Sequence, residues 1–222
     1  MPYERVSRLG AVNAYLVRED DGLTLIDAMI QGSAPKLLRA AERMGAPITR
    51  ILITHGHSDH VGSLDALAAA LPAAEVLVSA RDARPLAGDR SLDPDEPRDP
   101  LKKRSYPTVK TRPTRTLTDG DRVGSLEVHA APGHSPGQIA LLDTRDGALF
   151  CGDAFSTLGG VATSAKVNPR FPLPGLVTWN KPLALASAQK LRALDPAALA
   201  PGHGKVVAAP RAAMDAAIAR AG

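Results

Sequence analysis

A short histidine-rich segment carries the residues of this chain whose chemistry is easiest to interpret. It directly follows an apolar run, and it reads Thr54-His55-Gly56-His57-Ser58-Asp59-His60. Neutral imidazole and carboxylate groups are the ligands that hold zinc and similar divalent cations. Chance alone would produce such an H-x-H-x-D-H string in roughly 3 of 10,000 chains of this composition and length. The segment therefore predicts a metal site, with His55, His57, Asp59 and His60 as candidate ligands.

Three more candidate ligands each follow a predicted strand and lie beside glycine, namely His134, Asp153 and His203. Side chains at the ends of neighbouring strands can converge on one edge of a sheet. Together with the histidine-rich segment, these positions include five of the six histidines. The sixth, His129, alternates with apolar neighbours on a strand, so we expect it to be solvated or paired across strands rather than to bind metal.

The segment from Gly133 to Gly137 also matches G-x-S-x-G, the pattern of a serine nucleophile elbow. That mechanism uses the backbone N–H of the residue after the serine, which here is Pro136 and has none. The elbow also requires a following helix, whereas residues 138–142 are predicted to form a strand. Ser135 is therefore not expected to act as a nucleophile.

The elements that must position the candidate ligands alternate between strands and helices. Strands are predicted at 11–17, 23–26, 51–54, 75–79, 115–118, 126–130, 139–142, 148–151 and 198–200. Helices are predicted at 33–44, 61–70, 182–194 and 210–221, the first with Ser33 as its N-cap and Gly45 as its end. Asp21-Gly22 between two apolar runs predicts a hairpin. Strands interleaved with helices indicate an α/β layered architecture.

Composition bounds the class of protein. The 222 residues are 44% hydrophobic, so we expect one globular domain spanning 1–222, with irregular segments at 81–115 and 157–180 flanking a cleft. A single cysteine excludes a disulfide within the chain and a cysteine-rich zinc module. An aromatic content of 3% disfavours stacking platforms for single-stranded nucleic acid. The net charge of +4 would favour acidic partners through long-range steering but does not establish a nucleic-acid site. No apolar run reaches the ~18 residues of a membrane span, and the polar N-terminus leads us to expect a soluble, cytoplasmic protein.

The seven candidate ligands, in order and spacing from about residue 10 to 205, resemble the metal site of the metallo-β-lactamase-fold hydrolases. The resemblance implies a four-layer αβ/βα sandwich with two divalent metal ions in a cleft at one sheet edge. By this resemblance the first ion is held by His55, His57 and His134. The second is held by Asp59, His60 and His203, and Asp153 bridges both.

Asp27 resembles an early aspartate of the same family that orients groups at the metal site. Such carboxylates accept a hydrogen bond from the second nitrogen of a ligating imidazole. The family often has Asp-Thr-Gly at this position, whereas this chain has Asp27-Ala28-Met29. We therefore treat Asp27 as a residue that supports a ligand rather than as a ligand.

The resemblance implies hydrolysis without a covalent intermediate. Two metal ions ~3.5–4 Å apart can hold a bridging hydroxide that attacks a carbonyl or phosphoryl centre, and Asp59 would take part in proton transfer. Asp153 as the bridging residue is similar to the glyoxalase II and lactonase branch. Only 19 residues follow His203, so we expect no glutathione-binding helical extension. The expected substrate is then a small lactone, ester or thioester.

The ligand types suit zinc best, with iron, manganese or cobalt as alternatives. Aromatic side chains in or near the irregular segments are candidates for the walls of the substrate cleft: Tyr106, Phe155, Phe171 and Trp179. The sequence leaves open whether the chain forms homo-oligomers.

Three other functions stay open. The same fold supports an iron-dependent oxidoreductase of the persulfide dioxygenase type, although seven ligands favour two metal ions over one. It also supports a phosphodiesterase or nuclease, for which a basic stretch could contact phosphates, although a solvated loop is the preferred interpretation. A non-catalytic binding protein is disfavoured because no candidate ligand is missing. The basic stretch comprises Lys102, Lys103, Arg104, Lys110, Arg112 and Arg115.

Overall fold

The computed structural model describes residues 2–102 and 105–222, and the chain forms two compact units. The first unit comprises the residues up to Asp89 together with the stretch that ends at Leu117. The second unit comprises the stretch that begins at Arg90 and everything from Thr118 onward. Each unit has its own six-stranded sheet and its own hydrophobic core.

Among its described residues, the first unit has six strands and four helices. In chain order they are β1 Tyr3–Arg8, β2 Val12–Glu19, β3 Gly22–Ile26, α1 Ala34–Met44, β4 Ile48–Ile53, α2 Ser58–Val61, α3 Leu64–Ala70, β5 Glu75–Ser79, α4 Ala80–Leu86 and β6 Arg115–Leu117. The sheet order is β1-β2-β3-β4-β5-β6. The first three strands pair antiparallel, and β3 to β6 run parallel. The predicted hairpin is confirmed between β2 and β3.

Helix α1 shows how one amphipathic element closes the core of the first unit. Leu37, Ala40 and Ala41 are buried on one face and belong to the core. Gly45 ends the helix in the left-handed region with φ 68°, as predicted. Ser33 occupies the N-cap position as predicted, but its side chain makes no capping hydrogen bond, because the hydroxyl donates to the carbonyl of Ile30 at 2.7 Å.

Two further predictions for the first unit need correction. The helix predicted at 61–70 is confirmed over Leu64–Ala70 as α3, whereas Val61 ends the separate short helix α2. The segment 81–115, predicted as irregular from its prolines and charges, begins inside helix α4. The Ser79 hydroxyl accepts from the backbone N–H of Asp82 at 3.1 Å and caps α4, and Pro85 lies close enough to the helix end to be accommodated. Strand β1 was not predicted, because its sequence is largely polar.

The second unit has eight strands and three helices among its described residues. In chain order they are β7 Arg122–Val123, β8 Leu126–Ala130, β9 Ile139–Asp143, β10 Ala148–Gly152, β11 Phe155–Ser156, β12 Ala162–Thr163, α5 Leu173–Val177, α6 Lys181–Ala193, β13 Ala198–Pro201, β14 Val207–Ala208 and α7 Arg211–Ala221. The main sheet has the order β14-β13-β10-β9-β8-β7, and β11 pairs with β12 separately. Only β10 and β13 pair in parallel.

The core of the second unit lies against helices α6 and α7, both of which were predicted. Leu191 of α6 and Met214 of α7 are fully buried in the same cluster as Phe155 and Leu199. The segment 157–180, predicted as irregular, contains the short elements β12 and α5. Within the described residues, no helix combines the length and the apolar character needed to cross a membrane.

Candidate metal centre

Three parallel strands bring polar residues to one edge of the sheet in the first unit. Asp27 follows β3, Thr54 follows β4, and Asp82 lies in the first turn of α4 just after β5. The carboxyl ends of parallel neighbours lie at the same sheet edge, so these residues are close in space although they are far apart in the chain. The histidine-rich segment begins at this edge.

Within the first unit, the imidazoles of the segment form a compact buried cluster. The ring centroid of His55 lies 4.7 Å from that of His57 and 4.0 Å from that of His60. Candidate ligand atoms of His55 lie within 4.8 Å of those of both neighbours. Asp59 Oδ2 lies 4.0 Å from His60 Nε2, and the Asp59 side chain keeps 33% of its surface exposed. All four predicted ligands of this segment therefore lie together.

Asp27 and Thr54 fix which nitrogen of two histidines is left for a ligand. Asp27 Oδ2 lies 2.7 Å from His60 Nδ1, so this nitrogen carries the proton and donates it. The Thr54 hydroxyl lies 2.8 Å from the same carboxylate and donates to it. It must then accept from His55 Nδ1, which lies 3.2 Å away. Both imidazoles thus leave the Nε2 lone pair available for a metal ion.

The backbone of Asp27 supports this arrangement directly. Its φ of 65° lies in the left-handed region, which aspartate adopts more readily than most residues. The resulting turn lets the N–H of Ala28 donate to the carbonyl of His60 at 2.6 Å. The Asp27 carboxylate also accepts from the N–H of Thr54 at 2.8 Å. One residue therefore holds both ends of the histidine-rich segment.

Asp82 is a supporting residue that our sequence interpretation missed. Its carboxylate is completely buried and accepts from the backbone N–H of Gly56 at 2.8 Å, between two candidate ligands. The interpretation placed Asp82 in an irregular segment. The available signal was the spacing Ser79-x-x-Asp82, which is typical of a helix N-terminus directly after a strand.

Tyr106 packs beside the same segment. Its ring centroid lies 4.9 Å from that of His57 at an angle of 73°. A Cβ at Gly56 would lie 3.2 Å from the Tyr106 ring and 3.3 Å from Leu86, so a larger residue would push both neighbours away. Tyr106 is itself buried. It closes the histidine cluster on one side.

In the second unit, three loops at one sheet edge carry the remaining candidate ligands. Strands β8 and β10 both pair antiparallel with β9 and therefore run in the same direction, and β13 runs parallel to β10. His134, Asp153 and His203 follow the carboxyl ends of these three strands. The sheet thus gathers residues that are separated by up to 69 positions in the sequence.

These three side chains meet around one carboxylate oxygen. Asp153 Oδ2 lies 3.4 Å from His134 Nε2 and 3.1 Å from His203 Nε2. Two ligand atoms bound about 2.1 Å from one tetrahedral metal ion are about 3.4 Å apart. The distances between these ligand atoms therefore fit a bound metal ion. Imidazole and carboxylate donors are also ligand types that such an ion prefers.

His134 is oriented by a hydroxyl rather than by a carboxylate. Thr178 Oγ1 lies 3.0 Å from His134 Nδ1 and within 2.9 Å of two backbone carbonyls, those of Ser164 and Pro174. Since carbonyls only accept, the hydroxyl donates to one of them and accepts from His134 Nδ1. His134 therefore also leaves Nε2 for a ligand. Gln138 Oε1 accepts from the N–H of Asp153 at 3.3 Å.

Gly133 shows why the chain has glycine directly before His134. Its φ is 131°, and a Cβ there would lie 2.1 Å from the backbone nitrogen of Ala184 in helix α6. No side chain fits this gap. The N–H of Asn180 donates to the Gly133 carbonyl at 2.8 Å, so the start of α6 is attached directly to the ligand loop.

The four predicted cleft-wall aromatics differ in where they lie. Tyr106 contacts His57, and the Phe171 ring centroid lies 5.1 Å from that of His203. Phe155, by contrast, is fully buried in the core of its unit. The Trp179 indole is buried and donates to the carbonyl of Asp99 at 2.6 Å. The side chains of Phe155 and Trp179 therefore serve packing, although the backbone N–H of Trp179 donates to the His134 carbonyl at 3.1 Å. The rings of Tyr106 and Phe171 lie beside candidate ligands.

Two further residues of the second unit that could bind metal by type, His129 and Cys151, are buried away from that role. His129 is buried rather than solvated, and its Nε2 lies 3.6 Å from Glu127 of the same strand. Burial lowers the pKa of His129, which favours its neutral form. Cys151 is fully buried, and burial raises the pKa of its thiol to about 12. The thiol therefore stays protonated at neutral pH and offers no thiolate ligand.

The basic stretch gives little support to a phosphate-binding surface. Lys103 and Arg104 lie outside the described residues. Arg112 Nη1 donates to the backbone carbonyl of Val109 at 2.8 Å. The backbone N–H of Lys110 donates to Asp65 at 3.0 Å. These contacts attach Lys110 and Arg112 to neighbours within the first unit.

Comparison with known proteins identifies the fold. Residues 7–203 match the family model described as the metallo-beta-lactamase superfamily. The uncharacterized protein YobT of Bacillus subtilis (strain 168) is 46% identical over 210 residues, which are 95% of this chain and 90% of that protein. A crystal structure of TTHA1623 in a di-iron-bound form has a TM-score of 0.68 at 28% identity and covers 95% of this chain and 96% of that one. The predicted fold class is therefore confirmed.

A hydroxyacylglutathione hydrolase of Rhodospirillum rubrum is a partial relative. It is 35% identical over 130 residues, which are 57% of this chain and 41% of that protein. This chain thus spans less than half the length of that hydrolase.

Proposed function

The chain belongs to the metallo-beta-lactamase superfamily, and we propose that it is a dinuclear metal-dependent hydrolase of small carbonyl substrates. In this proposal all seven candidate ligands take part in metal binding. His55, His57 and His134 would hold the first ion. Asp59, His60 and His203 would hold the second, and Asp153 would be shared by both.

The orientation of the histidines is the observation that carries the proposal. His55, His60 and His134 each direct Nδ1 to an oxygen that fixes its proton there, at 3.2, 2.7 and 3.0 Å. Three buried histidines with purely structural roles would have no reason to share the same tautomer. Metal-ligating imidazoles typically donate their other ring N–H to an oxygen in this way. The donor set suits zinc, and also iron, manganese or cobalt.

Bound divalent cations would lower the pKa of a water nucleophile and polarise the oxygen of the attacked group. Asp59 is the candidate ligand of the first unit with the most exposed side chain. Its carboxylate is therefore the group best placed to accept a proton from incoming water and to return it to a leaving group. Tyr106 and Phe171, which contact ligand imidazoles, would limit access of bulk water.

A lactone, ester or thioester is the proposed substrate class. The partial relative from Rhodospirillum rubrum is named a hydroxyacylglutathione hydrolase, and its similarity supports the hydrolysis of an acyl substrate. The chain spans 41% of that protein, so we do not extend glutathione recognition to this chain. The exposed fraction of Asp59 and the aromatic neighbours favour a small, partly apolar substrate.

An iron-dependent oxidoreductase is the second candidate. The di-iron-bound form of TTHA1623 supports iron as a metal that this fold accepts. Oxygen uptake in the presence of a persulfide would distinguish this candidate from a hydrolase. We rank it second because the seven donors resemble a complete dinuclear set.

The test combines metal content with a substrate panel. The purified chain, loaded with zinc or iron, is assayed on lactones, thioesters, β-lactams and phosphodiesters, with oxygen uptake followed in parallel. We expect hydrolysis of a lactone or thioester, loss of activity and metal in His134→Ala, and retention of both in the matched control His129→Ala. Full metal content and activity in His134→Ala would contradict the proposal.

A further inference from the structure

A cavity of about 700 Å³ lies in the second unit, between residues 159–170 and helix α7. Small-molecule sites typically enclose about 300–1,000 Å³, so the cavity has a suitable size. None of the candidate metal ligands lines it. The proposed hydrolase function leaves this cavity without a role.

One wall of the cavity is apolar because helix α7 presents small side chains there. Ala213, Ala216 and Ala217 lie on successive turns of the helix and line the cavity. Val161 and Val167 line it from the facing segment. Alanines leave room where larger residues would fill the space, so an aliphatic chain could pack between the two walls.

The charged residues that line the cavity are all positive, and they are Lys166, Arg170 and Arg220. Lys166 Nζ donates to the carbonyl of Arg220 at 2.6 Å, and Arg220 Nη2 donates to the carbonyl of Val161 at 2.6 Å. Both contacts are to neutral oxygens, so they place the charges without cancelling them. The same two bonds join the C-terminal end of α7 to the facing segment.

We propose that this cavity binds an anionic amphiphile, a carboxylate attached to an aliphatic chain. The three cations would receive the carboxylate, and the alanine-lined wall would receive the chain. Charge complementarity supports this class of ligand over a neutral one, because no acidic residue lines the cavity. A purely apolar ligand would leave the cations unused, and a small inorganic anion would leave the apolar wall exposed.

Titration calorimetry of the metal-loaded full chain with sodium octanoate tests the proposal. The test variant carries Lys166→Gln and Arg170→Gln, both at exposed positions, and thermal unfolding checks that it keeps the wild-type fold without the Lys166 bond to the Arg220 carbonyl. The matched control is Lys181→Gln, an exposed lysine at the start of α6 in the same unit. 1-Octanol serves as the neutral ligand of equal chain length.

We expect wild type and Lys181→Gln to bind one octanoate per chain with equal Kd. The double variant should bind about tenfold more weakly, as expected for the loss of two partly exposed charge contacts. Unchanged octanoate affinity in the double variant would overturn the proposal, and it would also be the result if the carboxylate bound at the metal ligands instead. Equal affinity for 1-octanol would overturn it as well. Because the readout is binding, failure here leaves the proposed hydrolase function unaffected.

Discussion

In the first unit, four candidate ligands come from one continuous segment, whereas in the second unit three come from three separate loops. The supporting residues differ as well. The buried carboxylate of Asp27 lies behind the first cluster, at His60 Nδ1. The buried carboxylate of Asp153 lies among the ligands of the second cluster, beside two Nε2 atoms. Negative charge thus orients a ligand in one unit and would itself bind metal in the other.

Because of this difference, we expect replacement of the two aspartates to affect metal binding in different ways. Loss of Asp27 removes support but leaves every candidate ligand in place. Loss of Asp153 removes a donor that the proposal assigns to both ions. The following replacements test this contrast.

Asp153→Ala should have the largest effect. We expect activity to fall at least about a thousandfold, because a catalytic metal ion supplies several kcal/mol of transition-state stabilisation. Metal content should fall below two ions per chain. Kinetic assays with elemental analysis measure both, and an active variant with two ions would remove Asp153 from the centre.

Asp27→Asn should have an intermediate effect. Supporting carboxylates typically contribute about 10- to 100-fold to metal affinity, and the amide cannot accept from His60 with the same strength. The matched control is Asp21→Asn, an exposed carboxylate of the same unit that pairs with Arg50. Zinc competition titration should show weaker binding only in Asp27→Asn. Equal affinity in both variants would show that Asp27 has no role in orienting a ligand.

Thr178→Val should have a smaller effect than Asp27→Asn. The ligand His134 is supported by the neutral hydroxyl of Thr178, whereas His60 is supported by a carboxylate. A hydrogen bond of this kind contributes about 0.5–1.5 kcal/mol, which corresponds to a loss of metal affinity of about tenfold or less. Thr178→Ser keeps the hydroxyl and should restore wild-type affinity. A loss in Thr178→Val larger than that in Asp27→Asn would reverse the proposed order of the two supports.

The family, the fold class and the candidate ligands of the histidine-rich segment could be predicted from the sequence alone. His55, His57, Asp59 and His60 are recognisable because their spacing is local. His134, Asp153 and His203 were recognisable only through strand ends and family resemblance, because the sheet rather than the chain brings them together. Asp82 was missed since its role depends on a backbone N–H 26 positions earlier in the sequence. Phe155 was misassigned because residue type does not distinguish a cleft wall from a core.

Asp65→Asn should have the smallest effect, and we expect it in the free energy of unfolding rather than in metal binding. Burial raises the pKa of Asp65, but hydrogen bonds from the Thr111 hydroxyl and from the N–H groups of Lys110 and Thr111 outweigh it and hold this pKa below 3.8. A carboxyl whose pKa is lowered by folding stabilises the native state above its unfolded pKa and loses that contribution as the pH falls.

We expect Asp65→Asn to lower the free energy of unfolding at pH 7 by about 1 kcal/mol. The difference from wild type should shrink as the pH falls below 3.8 through the lower native pKa. Chemical denaturation at several pH values measures this, and a difference that is independent of pH would rule out the ionised carboxylate as its source.

X-ray absorption spectroscopy of the zinc-reconstituted chain shows whether the candidate ligands hold a pair of cations. We expect two ions per chain and a metal–metal distance of about 3.5–4 Å. A single ion per chain with no metal–metal scattering would contradict this expectation.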